Sequence, residues 1–318
     1  GTSTMDALTS GICNVAIGPS ALGAATTGCL NIAIGDLAMG GAVVTGINNV
    51  AIGSNPMKLA TSASHNIAIS SFVQCGITSG THNIGVGYNS QGGCTLTGHY
   101  NVALGRDTLH VLTSGGCNVA VGYQAGRSIN TGGNNTLIGA HAGCNSEFTL
   151  TSQNHHIQIG DNNASHFAVS VGLTNPSDAR DKTDVADLDL GLDYIKALNP
   201  VYYRWDKRNW YDDSGDSGGT DEEKATFLNY EPDGTHKKPR WEIGLLAQEV
   251  LAAEKLHTNK KQDVNSSDEN KNEGVTVEGT LADGYALQYQ KITMPLINAT
   301  QELDAKIVAL TARVTDLE

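Results

Sequence analysis

The first half of this 318-residue chain is nearly without charge. Between Gly1 and Pro176 the only basic residues are Lys58, Arg106 and Arg127, and the acidic ones are Asp6, Asp36, Asp107, Glu147 and Asp161. So few carboxylates argue against paired acid–base catalysis on a glycan. Asp107 and Asp161 lie more than three sequence repeats apart, which leaves a pairing only between chains. The net charge of -13 speaks against nucleic acid or an anionic membrane surface as partner. No apolar run reaches the length of a bilayer span, so membrane insertion is not expected, and the first residues do not read as a signal peptide. The start at Gly1-Thr2 reads as a piece of something longer. The six cysteines (13, 29, 75, 94, 117 and 144) form no CxxC pair and lack the density of a secreted disulfide scaffold. They read as free thiols buried in a core, which suits assembly in a reducing cytosol. No cofactor is implied.

What the first half does have is a repeat. Asn14-Val15-Ala16-Ile17-Gly18 recurs as Asn31-Ile32-Ala33-Ile34-Gly35 and Asn49-Val50-Ala51-Ile52-Gly53, then at Asn66, Asn83, Asn101, Asn118 and Asn135. A degenerate copy follows at His156-Ile157-Gln158-Ile159-Gly160. The steps between the first eight copies are 17, 18, 17, 17, 18, 17 and 17 residues. Each unit is too short to bury an apolar face alone, so copies must stack into a solenoid. The pattern predicts a short strand per unit with its aliphatics (Val15 and Ile17, Ile32 and Ile34, Val50 and Ile52) turned inward as ladders. The glycine after each strand permits a sharp corner. The asparagine amide can bond nearby backbone or the asparagine of the next coil. His65 and His82 precede the repeat asparagine in consecutive coils, so their rings can stack. A metal held there in a trimer is a minor alternative to a plain polar ladder.

The second half is ordinary charged sequence. Residues 188–198 read as an amphipathic helix ended by Asn199-Pro200, and 201–205 as a strand. Residues 211–240 read as a polar insertion, 241–256 as a second helix and 257–275 as a charged loop. Leu296, Thr300, Leu303, Ile307, Leu310, Val314 and Leu317 follow the alternating four and three spacing of a coiled-coil seam, within a helix expected over 292–318. Charges at Glu302, Asp304, Lys306, Arg313 and Asp316 flank it and favour self-association over packing on its own domain.

The two halves meet at Pro176-Ser177-Asp178-Ala179-Arg180-Asp181-Lys182. A serine hydroxyl beside an amine is the minimum for a self-activated nucleophile, since a neutral lysine can take the proton from Oγ. A polar turn with an N-capping serine is the plainer reading of the same spacing. Asp178 can cap the following helix, or Arg180 can orient the segment or hold an oxyanion.

Two resemblances bear on function. The strand motif over residues 10–160 resembles the head repeats of trimeric autotransporter adhesins and the repeats of phage tail fibres, which implies a left-handed β-roll within each of three chains. An intertwined triple β-helix competes with it. The run Ser177-Asp178-x-Arg180-x-Lys182, with Leu190-Gly191-Leu192, Asn199-Pro200-Val201, Tyr203-x-Trp205 and Gly244-Leu245-Leu246-Ala247-Gln248-Glu249-Val250, resembles the intramolecular chaperone autoprotease of endosialidase-type tailspikes and tail fibres. That family implies a nucleophile at Ser177 and its lysine at Lys182, with a domain that trimerises the fibre and cuts itself off. Asp181 occupies a site the family often fills with an apolar residue. Gln248 and Glu249 read as structural, with an oxyanion role as the alternative.

The expected architecture is therefore a mainly β, trimeric solenoid of 17–18-residue repeats over 1–176, followed by an α-rich α+β domain over 177–318 ending in a coiled coil. Leu303, Ile307, Leu310, Val314 and Leu317 would carry trimerisation. The expected role is a tail-fibre segment, assembled in the host cytoplasm and carried on the virion. Its partners would be itself, other tail proteins and a host receptor, with a glycan as one candidate. Its C-terminal domain would cut next to Ser177, with Pro176–Ser177 the favoured bond. The alternative is a trimeric surface adhesin or fibre with a permanent, non-cleaving cap.

Overall fold

The computed structural model describes residues 1–93, 95–144, 149–161, 164, 168, 176–207, 211, 231–258, 276–280 and 284–317. Cys94, Glu147 and most of the polar stretches expected over 211–240 and 257–275 lie outside the described residues. The chain divides into two compact units, Gly1–Ala168 and Val169–Glu318.

The first unit is a parallel β-solenoid of about eight turns. Nine three-residue strands, β1 (Val15–Ile17), β2 (Ile32–Ile34), β3 (Val50–Ile52), β4 (Ile67–Ile69), β5 (Ile84–Val86), β6 (Val102–Leu104), β7 (Val119–Val121), β8 (Thr136–Ile138) and β9 (Ile157–Ile159), lie in one sheet in chain order. Each repeat position pairs with its equivalent one coil on, as in Ala33↔Ala51 and Ile34↔Ile52.

The aliphatic ladders point the opposite way from the expectation. The central Ala33, Ala51, Ala68, Ala103 and Ala120 are fully buried, while Val15, Ile17, Ile32, Ile67 and Ile69 are exposed. Strand side chains alternate, so whichever faces the inside fixes the rest. Here the asparagine faces in. Asn31, Asn49, Asn66, Asn83, Asn101, Asn118 and Asn135 are fully buried, which sends the residues one and three places later outward. A buried amide must be fully paired, and this one is. Asn101 Nδ2 donates to Asn83 Oδ1 and to the Gly115 carbonyl, and its Oδ1 accepts from the N–H and the side chain of Asn118.

The interior is narrow, and its volume is conserved by exchange. Where Leu137 replaces the central alanine, Gly126 and Gly143 stand opposite, and a Cβ on Gly126 would come within 2.8 Å of Leu137 Cδ1. Where Gly85 replaces it, the long Gln74 side chain fills the space, and a Cβ there would lie 2.6 Å from Val73 Cγ1. Size is traded across the core rather than lost.

The corner before each asparagine is left-handed whatever residue occupies it. Cys13, Leu30, Asn48, His65, His82, Tyr100, Cys117, Asn134 and His155 all have φ between 57° and 62°. Such a conformation is costly outside glycine, so stacking between neighbouring coils must impose it. The thiols also depart from the expectation: Cys144 is buried, Cys29 and Cys75 are half-buried, and Cys13 and Cys117 are exposed. The last two sit on that same outward corner.

In the second unit, helix α1 (Leu192–Ala197) is shorter than expected, because the chain before it is extended up to Gly191 at the N-cap. Strand β10 (Val201–Tyr203) pairs antiparallel with β11 (Glu242–Gly244). The stretch read as one helix from 241 is therefore β11 followed by α2 (Ala247–His257). Gly244 marks the break, since a Cβ there would meet Tyr289 Oη and the Tyr203 ring. Strands β12 (Val277–Thr280) and β13 (Gly284–Leu287) form a hairpin ahead of the long α3 (Tyr289–Thr315). The small core comprises Leu190, Tyr194 and Ala253 on one side and Val250, Leu251 and Val277 on the other. No helix among the described residues is long and apolar enough to cross a membrane.

Candidate active site around Ser177

The residues from Pro176 to Lys182 form one tight turn. Asp178 caps a single 3-10 turn over Ala179–Asp181, its Oδ1 accepting the Arg180 N–H at 2.9 Å. The turn closes with Asp181 N–H donating to the Asp178 carbonyl and Lys182 N–H to that of Ala179. Arg180 folds back on its capping residue, with Nε 3.0 Å from Asp178 Oδ1 and 3.2 Å from Oδ2. The hydrogen bonds from Arg180 hold the Asp178 carboxyl below its ordinary value, and the carboxylate pushes the guanidinium up in turn. Because the pair is exposed, it shapes the turn more than it stabilises the fold.

Reversing the chain through this turn brings its two ends together. Lys182 Nζ donates to Ser177 Oγ at 2.6 Å. A base and a nucleophile within hydrogen-bond reach are the geometry needed for proton transfer. In the single chain both groups are exposed. An ammonium can only donate to the hydroxyl, and the amine must be neutral to accept the proton, a state that removal from water favours.

The remaining expected residues are placed apart from this pair or only beside it. Asp178 and Arg180 pair with each other. Gln248 and Glu249 are exposed in the first turn of α2, where Glu249 accepts from Asn199 Nδ2 at 3.4 Å. No hydrogen bond among the described residues joins either of them to Ser177 or Lys182. Leu303, Ile307, Leu310, Val314 and Leu317 line the end of the chain from α3 onward and are all exposed in the single chain, Leu317 to 87%. The first half of α3 is anchored to its own unit. Pro295 and Ala299 are buried, Asn298 Nδ2 donates to the Leu188 and Leu190 carbonyls, and a Glu302 carboxylate oxygen accepts the Leu192 N–H. The apolar seam beyond is left unpaired.

The His65 and His82 rings stack with centroids 4.8 Å apart and planes 1° from parallel, and Tyr100 continues the stack at 5.0 Å. Among the described residues no group of three or more His, Cys, Asp or Glu side chains is placed to hold a metal.

Sequence reasoning passed over one buried carboxylate. Glu254 on α2 is 1% exposed and accepts from the Thr276 N–H at 2.8 Å and from its hydroxyl, which fastens the start of the β12 segment to the helix. Its signal was a lone acid among Val250, Leu251 and Ala253, on the face of α2 that packs inward.

Residues 177–257 match the model of the Peptidase_S74 family, chaperone of endosialidase, with Ser177 as the first residue matched. The matched chaperone segment follows the β-solenoid in the chain, the order that the motifs implied. No curated protein and no solved structure matches the chain.

Proposed function

We propose that this chain is a segment of a trimeric phage tail fibre, whose C-terminal domain brings three solenoids into register and then releases itself by cutting the Pro176–Ser177 bond. The observation that carries the reading is the 2.6 Å contact between Lys182 Nζ and Ser177 Oγ, at the first residue of the chaperone match. Neutral Lys182 takes the hydroxyl proton, and Oγ attacks the Pro176 carbonyl carbon through a five-membered ring. The Pro176–Ser177 C–N bond breaks as its nitrogen gains a proton and becomes a free amine. The resulting ester between Pro176 and Ser177 Oγ is hydrolysed by one water, giving a carboxylate at Pro176 and restoring the serine hydroxyl.

Assembly and chemistry are linked by exposure. The Val/Ile face of the solenoid, the α3 seam and the Ser177–Lys182 pair are all open in the protomer. Covering the first two with copies of the chain removes apolar area from water. Covering the third desolvates Lys182 and turns the amine into a base. Cutting would then follow assembly. A repeat as uniform as this one can pair with a coil one step out of register, and a terminal three-chain seam suppresses that by fixing the ends. Cleavage afterwards leaves the assembled fibre kinetically trapped.

An intact-mass time course of the wild-type chain beside Ser177→Ala and Lys182→Ala tests this. Scission at Ser177 in the wild type alone is the expected result. A wild type that stays whole once assembled makes the domain a permanent cap and removes the enzymatic claim.

A further inference from the structure

The sixth residue of each repeat, counted from the asparagine, sits just past the outward aliphatic face, and the fold does not care what it is. Successive coils place Pro19, Asp36, Ser54, Ser71, Tyr88, Arg106, Tyr123 and Ala140 there. In three consecutive coils this indifferent position carries Tyr, Arg and Tyr. All three are exposed, and the Arg106 guanidinium carbon lies 5.7 Å from the Tyr88 ring and 5.9 Å from the Tyr123 ring. Phe72 and His141 extend the stripe edge-on, at 5.9 Å from Tyr88 and 5.1 Å from Tyr123.

The charge on this stripe is organised. Arg106 is one of three basic residues in the first 176. Its Nε donates to Asp107 Oδ2 at 3.1 Å, while its side chain stays 63% exposed. Asp107 is 11% exposed in its side chain, and its other oxygen accepts from Asn89 Nδ2 at 2.9 Å. The carboxylate is thus spent inside, orienting the guanidinium. What faces solvent is a held cation between two aromatic rings about 10 Å apart, two strand spacings along the sheet.

We infer that the Tyr88–Arg106–Tyr123 stripe is a binding site for a carboxylated polysaccharide, an acidic glycan whose sugar rings lie along the tyrosines and whose carboxylate is taken by Arg106. This rests on the attachment-fibre reading and names the receptor chemistry for it. A fixed guanidinium fork pairs with a carboxylate in two parallel hydrogen bonds. Aromatic side chains supply apolar contact beside a polar tip at low conformational cost. The same stripe borders the Val/Ile face, so a neighbouring copy of the chain is the rival occupant.

The test is calorimetric titration of the full-length protein with tetragalacturonate and with an uncharged galactose tetramer, using wild type, Arg106→Gln, Arg106→Lys and Tyr123→Ser. Serine at this register is already accepted at Ser54 and Ser71, so Tyr123→Ser is expected to fold. Oligomeric state and fragment release are followed on the same samples. The acidic tetramer should bind about tenfold tighter than the neutral one, and Arg106→Gln should lose about that factor. Arg106→Lys should recover part of it and Tyr123→Ser should weaken both ligands, with oligomer and cleavage unchanged. Equal affinity for the two tetramers, or no loss in Arg106→Gln, overturns the inference. Dissociation of the oligomer by Arg106→Gln also overturns it, by giving the stripe to the interface. Failure of cleavage alone would strike the self-release reading and leave the glycan result standing.

Discussion

The two units are stable by different routes. In the solenoid, strands pair counterparts 17 or 18 places on and the amide ladder bonds to the adjacent coils, so each coil is held mainly by its two neighbours. Its interior combines central alanines, larger side chains such as Leu22, Met39, Ile77, Leu109 and Ile129 from the turns, and a ladder of amides. In the second unit the ties are singular. Glu302 reaches Leu192 across 110 residues, Tyr289 Oη receives the Leu245 N–H across 44, and Glu254 holds Thr276. A structure of equivalent contacts can be extended without limit but cannot tell one register from the next. Unique contacts can tell, and a long one-sided helix can carry that discrimination to other chains. The proposed division of labour between solenoid and chaperone domain rests on this difference.

That comparison can be broken at several points. The largest effect is expected from Ile307→Asp, in the exposed seam of α3. It should abolish assembly of the whole chain in sedimentation velocity while leaving helix content unchanged, because the residue makes no core contact in its own unit. If oligomers persist, the solenoid faces associate without the seam.

Next is Asn101→Ala in the middle of the amide ladder. The Gly115 carbonyl and the Asn118 N–H lose their partner inside the core, a cost of about 2–4 kcal/mol. Hydrogen exchange should accelerate in the coils either side and fade with distance along the solenoid. Uniform acceleration over all coils would refute nearest-neighbour stability.

Smaller again is Gly85→Ala. Alanine is the residue of the equivalent position in most other coils, yet here its Cβ would press on Val73. Thermal melting should show a loss of about 1–3 kcal/mol, and pairing it with Val73→Ala, which removes the methyl that the new Cβ meets, should recover part of that.

The smallest effect concerns Asp178. Its carboxyl is depressed by Arg180, so the turn is favoured above the ordinary aspartate range and loses this contribution as pH falls through the lowered value. An NMR titration of the Asp178 carboxyl should show a midpoint below ordinary aspartate in wild type and a return toward it in Arg180→Ala. Identical midpoints would mean the Arg180–Asp178 side-chain pair does not hold in solution.

The repeat, its period, the stacking of like positions and the closeness of Ser177 to Lys182 were all legible in the chain, because each depends on spacing along one strand or one turn. Lys182 lies five positions after Ser177, and a capped turn brings the ends of such a segment together with little help from elsewhere. The direction of the Val/Ile face was not legible. Alternation says only that Asn and Ala share one side and the aliphatics the other. Which side is inside was decided by the need to pair a buried amide coil by coil, and the turns, with Ile77, Leu109 and Ile129 buried, fill the space facing the central alanines. The break at Gly244 likewise depended on Tyr203 and Tyr289, residues distant in the chain, and the same residues without that contact read as continuous helix. Sequence determined the period and the chemistry within reach of a turn. Tertiary structure determined what is inside, because burial is settled by neighbours that the local pattern does not name.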